Sequence, residues 1–161
     1  MGFSIHLGKE NFKFSCSHFT IFSANTAERL HGHNYQIAVH LKVGEVDPKL
    51  GFAFDFNLVK PHIKEICDRL DEFILVPTQS PYLKVEEEGA QVKVRFHNKS
   101  YSFPNSDVFL LPVTNISTEE LAKYFGHQLC ERISTLNGWT EMEVFVEETR
   151  GQSVSYSFKK P

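Results

Sequence analysis

The stretch HGHNYQIAVHLKV, residues 31–43, has the clearest structural pattern in this chain. Every second residue of its C-terminal part is apolar, and this period of two predicts a long β-strand over 33–43 with one buried face. The stretch FKFSCSHF, residues 12–19, alternates in the same way and predicts a second strand. Residues 20–30 between the two strands are expected to form a loop.

Further elements are expected on both sides of this pair. Asn57 can cap a helix that runs to about Leu70, and Ser117 with Glu120 forms a capping box for a second helix that ends at Asn137–Gly138. Three shorter strand patterns are also present. FSIHLG is expected to pair with strand 12–19 through a turn at Gly8–Lys9. Residues 83–87 and 91–96 are expected to form a strand pair that 101–104 extends, and residues 143–149 and 152–158 are expected to form a hairpin. This order predicts an α+β fold, an antiparallel β-sheet with two helices packed on one face.

Composition narrows the class of protein. A chain of 161 residues with 41% hydrophobic residues can bury one core, so a single domain over 1–161 is expected. Its net charge of −3, with acids and bases interspersed, argues against nucleic-acid or membrane partners. No apolar run approaches the roughly 18–20 residues of a transmembrane helix, and the N-terminus lacks a signal-peptide pattern, so a cytoplasmic location is expected. The three cysteines lack CxxC pairing, which argues against a disulfide framework.

Histidines provide the first candidate for a functional site. His31 and His33 are separated by one residue at the start of a predicted strand, so their side chains point to the same face and can converge on one cation. His18 lies on the inward face of the other predicted strand. Three histidines without a fourth protein ligand are typical of catalytic zinc, which keeps a position open for water or substrate. The spacing alone is also compatible with core histidines that are satisfied by hydrogen bonds.

Longer motifs resemble the 6-pyruvoyl-tetrahydropterin synthase family. FSCSHF followed by LHGHNYQIAVHLKVGEVDPKLGFAFDFNLVK is similar to the opening half of that family, and Leu70-Asp71, Ser117-Thr118-Glu119 and Val146-Glu147-Glu148-Thr149 follow in the family's order. The resemblance implies the family's tunnelling fold, or T-fold. It also implies a homo-oligomer, a trimer or a hexamer of two stacked trimers, with sites between subunits. Exposed sheet edges favour such an assembly because they are open to pairing.

The same resemblance assigns roles to individual residues. The zinc ligands that it implies are His18, His31 and His33. It also implies that Glu148 anchors a pterin ring, with help from Thr118 and Glu119. A carboxylate can accept two hydrogen bonds from the adjacent 2-amino and ring N–H groups of a pterin. The alternatives are that Thr118 only caps the helix, that Glu119 only complements the helix dipole, and that Glu148 is a solvated strand end.

Two departures from the family pattern concern the catalytic base. The family's catalytic cysteine lies a few residues before HGH, where this chain reads TAERLHGH, and the histidine of its L-D-H motif is replaced by Glu72. Glu28 stands three residues before His31, in the loop that usually delivers the base. One branch of the family carries glutamate there, together with a Y-S-F-P stretch that matches 101–104. The resemblance to this branch implies that Glu28 is the catalytic base; the alternative is an exposed loop carboxylate.

That branch implies a particular reaction. The side chain of 7,8-dihydroneopterin triphosphate would be cleaved between its first two carbons, giving 6-hydroxymethyl-7,8-dihydropterin for folate-type synthesis. A carboxylate base suits this retro-aldol step better than the redox tautomerisation of the usual synthase. Asp71 is expected to relay a proton or orient a partner, or else to cap the end of the first helix. Cys16 is not expected to replace the missing thiol.

Other functions are compatible with the same motifs. The chain could perform the usual 6-pyruvoyl-tetrahydropterin synthase reaction or act as a 6-carboxy-tetrahydropterin synthase, although both normally need the absent cysteine. It could also be a family member that binds zinc or a pterin without turnover. Loss of both the cysteine and the L-D-H histidine favours that last alternative. The sequence does not indicate which residues hold the triphosphate.

Overall fold

The computed structural model describes residues 2–160, which form ten strands and two α-helices. The strands are β1 (Phe3–Leu7), β2 (Lys13–His18), β3 (His31–Val43), β4 (Phe73–Pro77), β5 (Leu83–Glu88), β6 (Gln91–Phe96), β7 (Lys99–Pro104), β8 (Val108–Leu111), β9 (Trp139–Thr149) and β10 (Gln152–Lys159). Seven of them form a large sheet with the order β10-β9-β3-β2-β4-β8, and β1 pairs with β3 outside this path. The other three form a small antiparallel sheet with the order β5-β6-β7.

The alternating stretch of the sequence forms the centre of the large sheet. β3 is 13 residues long, and its inward-facing residues from Tyr35 to Val43 are buried. β9 pairs with one edge of β3, while β2 and β1 pair in succession with the other edge. The prediction that FSIHLG pairs with strand 12–19 is therefore wrong. It pairs antiparallel with the second half of β3 because that strand is long enough to hold two short neighbours end to end.

Two strands that the sequence did not predict extend the large sheet. β4 pairs in parallel with β2, and β8 pairs in parallel with β4. Their sequences, FILVP and VFLL, are short apolar runs without alternation, as expected for strands covered on both faces. The predicted strand pair with its extension is confirmed as β5-β6-β7, and the predicted C-terminal hairpin is confirmed as β9-β10.

Two helices, α1 (Lys60–Leu70) and α2 (Thr118–Arg132), pack on one face of the large sheet. The predicted cap Asn57 is wrong. Asp55 accepts a hydrogen bond from the Asn57 N–H and caps a short 3-10 helix, Phe56–Leu58, and α1 begins only after this turn. None of the helices formed by residues 2–160 is long and apolar enough to cross a membrane.

The start of α2 was predicted correctly and its end was not. The Ser117 hydroxyl accepts a hydrogen bond from the Glu120 N–H at 3.3 Å, as a helix cap does. The Glu120 carboxylate accepts from the Thr114 N–H at 3.2 Å, so the capping box is only half formed. α2 ends at Arg132, and the residues up to Gly138 form turns.

The two faces of the large sheet bury different apolar residues. The main core lies between the sheet and the helices and includes Ile37, Phe125 and Trp139. A second core involves the opposite face of β4, since Leu75 belongs to the main core and its neighbour Val76 to the second. The second core joins the small sheet to the loop over 20–30, and this packing holds that loop in place.

Candidate active site

Three histidines come together where β2 ends and β3 begins. The strand register pairs His18 directly with His31, and His33 lies two residues further along β3 on the same face. The nitrogens that each ring offers lie within 4.8 Å of one another, so one ion can be held by all three. His18 is only 1% exposed, whereas the other two rings are partly exposed. The group therefore opens to solvent on one side.

Backbone carbonyls orient two of these rings. His18 Nδ1 lies 3.1 Å from the Ile116 carbonyl oxygen, and His31 Nδ1 lies 2.7 Å from the Arg29 carbonyl oxygen. A neutral ring that donates its Nδ1–H to a carbonyl keeps a lone pair on Nε2. Histidines that bind metals are commonly held in one tautomer by such a contact.

The chemistry of the three nitrogens fits a zinc ion. Burial, together with the imidazoles of His31 and His33, lowers the pKa of His18 to about 4, so this ring is neutral near pH 7. The Tyr35 hydroxyl lies 3.1 Å from His18 Nε2. Burial raises the pKa of Tyr35, so its phenol stays protonated and donates to the Nε2 lone pair, a position that a bound metal ion would take instead. Neutral imidazoles are ligands that zinc accepts in catalytic sites.

Glu28 lies at the edge of the histidine cluster. Its Oε2 is 4.0 Å from His31 Nε2 and accepts a hydrogen bond from the Thr20 N–H at 2.9 Å. Burial acts to raise the pKa of Glu28, but hydrogen bonds from Thr20 and the imidazoles of His31 and His18 outweigh it, and the pKa is lowered overall. The carboxylate is therefore ionised at neutral pH and able to accept a proton.

Glu148 meets the cluster from the end of β9. Its Oε1 lies 3.0 Å from His33 Nε2, and both side chains are partly exposed. β9 pairs with β3 so that Val146 lies opposite Ile37, which brings the end of β9 to the start of β3. The structure thus places the residue predicted to anchor a pterin in contact with one of the predicted zinc ligands.

The segment before α2 borders the cluster through its backbone. The Ile116 carbonyl that accepts from His18 also accepts from the Thr20 hydroxyl at 3.3 Å. The Asn115 side chain accepts from the Ile21 N–H at 3.0 Å and donates to the Ile21 carbonyl at 2.9 Å. This segment therefore joins the loop that carries Glu28 to the start of α2.

Thr118 and Glu119 lie in the first turn of α2, just beyond this segment. Their side chains are hydrogen-bonded to each other at 3.3 Å. Within residues 2–160, no hydrogen bond connects either of them to Glu148 or to the three histidines. Thr118 and Glu119 follow Ile116 closely in the sequence, but their side chains do not take part in the hydrogen-bond network of the histidine cluster.

The surroundings of Asp71 and Cys16 are those of residues that contribute to the structure. The Asp71 Oδ1 accepts from the Ser15 N–H at 2.7 Å, which ties the end of α1 to β2. Among the described residues its carboxylate has no ion pair with a histidine, and its proposed part in proton relay stays a prediction. Burial, with the Glu148 and Asp71 carboxylates, raises the pKa of Cys16 to about 12. Its thiol is therefore protonated and unsuited to act as a base.

Three contributors to the site were not predicted from the sequence. Ile116 acts through its carbonyl, which no side-chain pattern reveals. Thr20 lies in a stretch that was expected only to be a loop. Tyr35 had a usable signal, because it is two residues beyond His33 on an alternating strand and must share its face.

A curled, largely antiparallel sheet with two helices on one face defines a T-fold protein, and its three histidines give it a candidate metal centre. The sequence model of 6-pyruvoyl tetrahydropterin synthase matches residues 7–159. The chain therefore belongs to the 6-pyruvoyl tetrahydropterin synthase family of pterin-biosynthesis enzymes.

Several relatives match nearly the whole chain. A Methanocaldococcus jannaschii protein, named provisionally as a 6-carboxy-5,6,7,8-tetrahydropterin synthase, is 34% identical over 148 residues, which are 89% of this chain and 88% of that protein. The Plasmodium vivax 6-pyruvoyl tetrahydropterin synthase structure is 29% identical, covers 99% of both chains and has a TM-score of 0.92. The Plasmodium falciparum structure is 30% identical, covers 98% of both chains and has a TM-score of 0.91. The P. vivax enzyme has also been solved with a catalytic glutamate replaced by alanine or by cysteine.

Proposed function

We propose that this chain is a zinc-dependent enzyme that cleaves the side chain of 7,8-dihydroneopterin triphosphate to give 6-hydroxymethyl-7,8-dihydropterin. The observation that carries the proposal is the position of Glu28, whose carboxylate lies 4.0 Å from His31. The loop over 20–30 contains no cysteine, and the thiol of Cys16 is held protonated by burial. Glu28 is thus the group best placed to accept a proton beside the histidines.

The reaction follows from what a carboxylate can do at this position. Glu28 accepts the proton of the hydroxyl on the second side-chain carbon, and the bond between the first and second carbons breaks as that hydroxyl becomes an aldehyde. The electron pair is delocalised into the pterin ring, and the first carbon then takes up a proton. The second product is glycolaldehyde triphosphate, so no oxidant or reductant is needed.

The other residues bind and orient the substrate. When bound by His18, His31 and His33, zinc would supply Lewis acidity toward the side-chain hydroxyls. Glu148 accepts hydrogen bonds from the pterin edge, with Thr118 and Glu119 as further contacts near the ring. Asp71 is assigned the role of orienting a group that takes part in proton transfer. Support for a glutamate base also comes from the P. vivax relative, in which a glutamate is a catalytic residue.

A second candidate is 6-carboxy-tetrahydropterin synthase activity. The observation that favours it is the 34% identity with the M. jannaschii protein that carries this name provisionally. It would use the same pterin and metal sites, so the histidines and Glu148 do not distinguish the two reactions. The identity of the product does.

Replacing Glu28 with Gln tests the assignment of the base. The amide oxygen of Gln can still accept from the Thr20 N–H, so the loop should keep its conformation. We expect turnover to fall by about 100-fold, the usual scale for a lost general base. Zinc content, from metal analysis, and neopterin affinity, from calorimetry, should stay near wild type.

The matched control for this variant is Glu45→Gln, which changes an exposed carboxylate after β3. It should leave turnover, zinc content and neopterin affinity unchanged. Wild-type turnover in Glu28→Gln would show that another group is the base. A loss of zinc or of neopterin binding would show that Glu28 has a structural role.

A further inference from the structure

The Asn115 side chain joins the loop over 20–30 to the segment before α2. Its Oδ1 accepts hydrogen bonds from the Ile21 N–H and the Ile116 N–H, each at 3.0 Å, and its Nδ2 donates to the Ile21 carbonyl at 2.9 Å. Both lone pairs of the oxygen and one N–H of the amide are therefore used. A carboxylate has no donor for the Ile21 carbonyl, so this set of contacts needs an amide.

The peptide group between Thr20 and Ile21 connects Asn115 to Glu28. Its N–H donates to Asn115 Oδ1, and its carbonyl oxygen accepts from the Glu28 N–H at 2.9 Å. The N–H of Thr20 itself donates to the Glu28 carboxylate, also at 2.9 Å. Because a peptide group is planar and rigid, a side chain that fixes this one also fixes the backbone of Glu28 and the donor that holds its carboxylate.

Asn115 also precedes the residue that orients the most buried histidine. The Ile116 carbonyl oxygen lies 3.1 Å from His18 Nδ1 and accepts from the Thr20 hydroxyl at 3.3 Å. The N–H of Ile116 is one of the two that Asn115 Oδ1 accepts. Glu28 and His18 are thus both tied to residues 115 and 116, and this short segment sets the position of the one relative to the other.

We propose that Asn115 is a positioning residue for Glu28, which holds the carboxylate where it can take a proton beside the histidines. This inference rests on the proposed function, because it takes Glu28 as the base. Within residues 2–160, the Asn115 side chain bonds only to the backbone of Ile21 and Ile116, so it acts through the loop. A displacement of about 1 Å can lower a rate by about 100-fold, so loss of these contacts should lower kcat more than it changes KM.

A double-mutant cycle with Glu28 tests this role. Asn115→Ala removes all three contacts and should lower kcat about tenfold, with KM within about twofold of wild type and rates expressed per bound zinc. In the Glu28→Gln background the base is already lost, so the same change should not lower kcat further. Asn115→Asp, which keeps the acceptor oxygens and loses the donor, should show the same coupling.

The matched control is Asn105→Ala, which removes an amide that donates to the Gly89 carbonyl at 3.0 Å in the small sheet. It should leave kcat at its wild-type value. If Asn115 has only a structural role, its loss will lower kcat by the same factor with and without the Glu28 carboxylate. That result would overturn the proposal.

Hydrogen exchange separates this inference from the proposed reaction. In Asn115→Ala the amides of Ile21 and Glu28 should exchange about tenfold faster, the scale of one lost hydrogen bond, and in Asn105→Ala they should not change. Faster exchange in a protein that makes a different pterin product, or none, would support the part of Asn115 in holding Glu28 and reject the proposed reaction. Equal exchange at Glu28 in wild type and Asn115→Ala would reject the inference, whatever the product is.

Discussion

His18 is the most buried ligand candidate and has two polar partners, the Ile116 carbonyl and the Tyr35 hydroxyl, each at 3.1 Å. His31 and His33 are more exposed, and their rings contact the Arg29 carbonyl and the Glu148 carboxylate respectively. Every ring therefore has its orientation set by a group outside the cluster. A carbonyl or carboxylate that accepts a ring N–H holds a metal ligand in place and raises its basicity, whereas the Tyr35 hydroxyl donates to the His18 ring and does not.

Removing two of the three histidines tests the metal centre. Wild-type protein is expected to hold about one zinc per chain, and a double variant, His31→Ala with His33→Ala, should hold none because one imidazole is not enough. Metal analysis after dialysis measures this. His62→Ala, which changes a histidine on α1 outside the cluster, is the control and should keep its zinc. Full zinc retention in the double variant would rule out this site.

Part of the site could be predicted from single residues, and part could not. The HxH spacing put His31 and His33 on one face because a strand has a period of two, and the structure agrees. The Ile116 carbonyl is 98 positions from His18 in the sequence, and a backbone group leaves no trace in residue type. Tertiary contacts of this kind become visible only when the fold is known.

At the scale of helices and strands, alternation was a reliable guide and short apolar runs were not. β3 and the β9-β10 hairpin have long alternating stretches and were predicted correctly. β4 and β8 are covered on both faces, so they lack the polar residues that would reveal a period. The start of α1 was misplaced because Asp55, not Asn57, provides the capping oxygen of the preceding turn.

The packing of α2 on β10 gives a prediction that opposes helix propensity. Gly126 is buried within α2, and a Cβ at this position would overlap the ring of Phe158 on β10. Propensity alone favours Ala over Gly by about 1 kcal/mol, but the overlap should make Gly126→Ala less stable by about 1–3 kcal/mol. Urea unfolding measures this difference.

A second variant identifies the cause of that loss. In the double variant Gly126→Ala with Phe158→Leu, the smaller leucine side chain replaces the ring that the new Cβ would overlap. This double variant should recover part of the stability that Gly126→Ala alone loses. The stability of the single variant Phe158→Leu is measured as the reference, because it gives the cost of losing the ring by itself. If Gly126→Ala proves more stable than wild type, then α2 and β10 are not packed as closely as described.

At the scale of the whole molecule, three strands of the large sheet, β10, β8 and β1, each pair with a single neighbour within residues 2–160 and leave one edge free. Free edges are open to pairing with another chain, and closed symmetric assemblies remove them. We therefore expect a trimer or a hexamer with sites between subunits. Light scattering should give three or six times the 18.5 kDa mass of one chain. A monomer at the concentration used for assays would contradict this expectation.

The most direct measurement of the proposed function is the identity of the product. Zinc-loaded wild-type protein is incubated with 7,8-dihydroneopterin triphosphate, and the pterins are identified by mass. Cleavage by a glutamate base predicts 6-hydroxymethyl-7,8-dihydropterin, which keeps one side-chain carbon, together with glycolaldehyde triphosphate. A pterin that keeps all three side-chain carbons, or a 6-carboxy product, would contradict the proposed reaction.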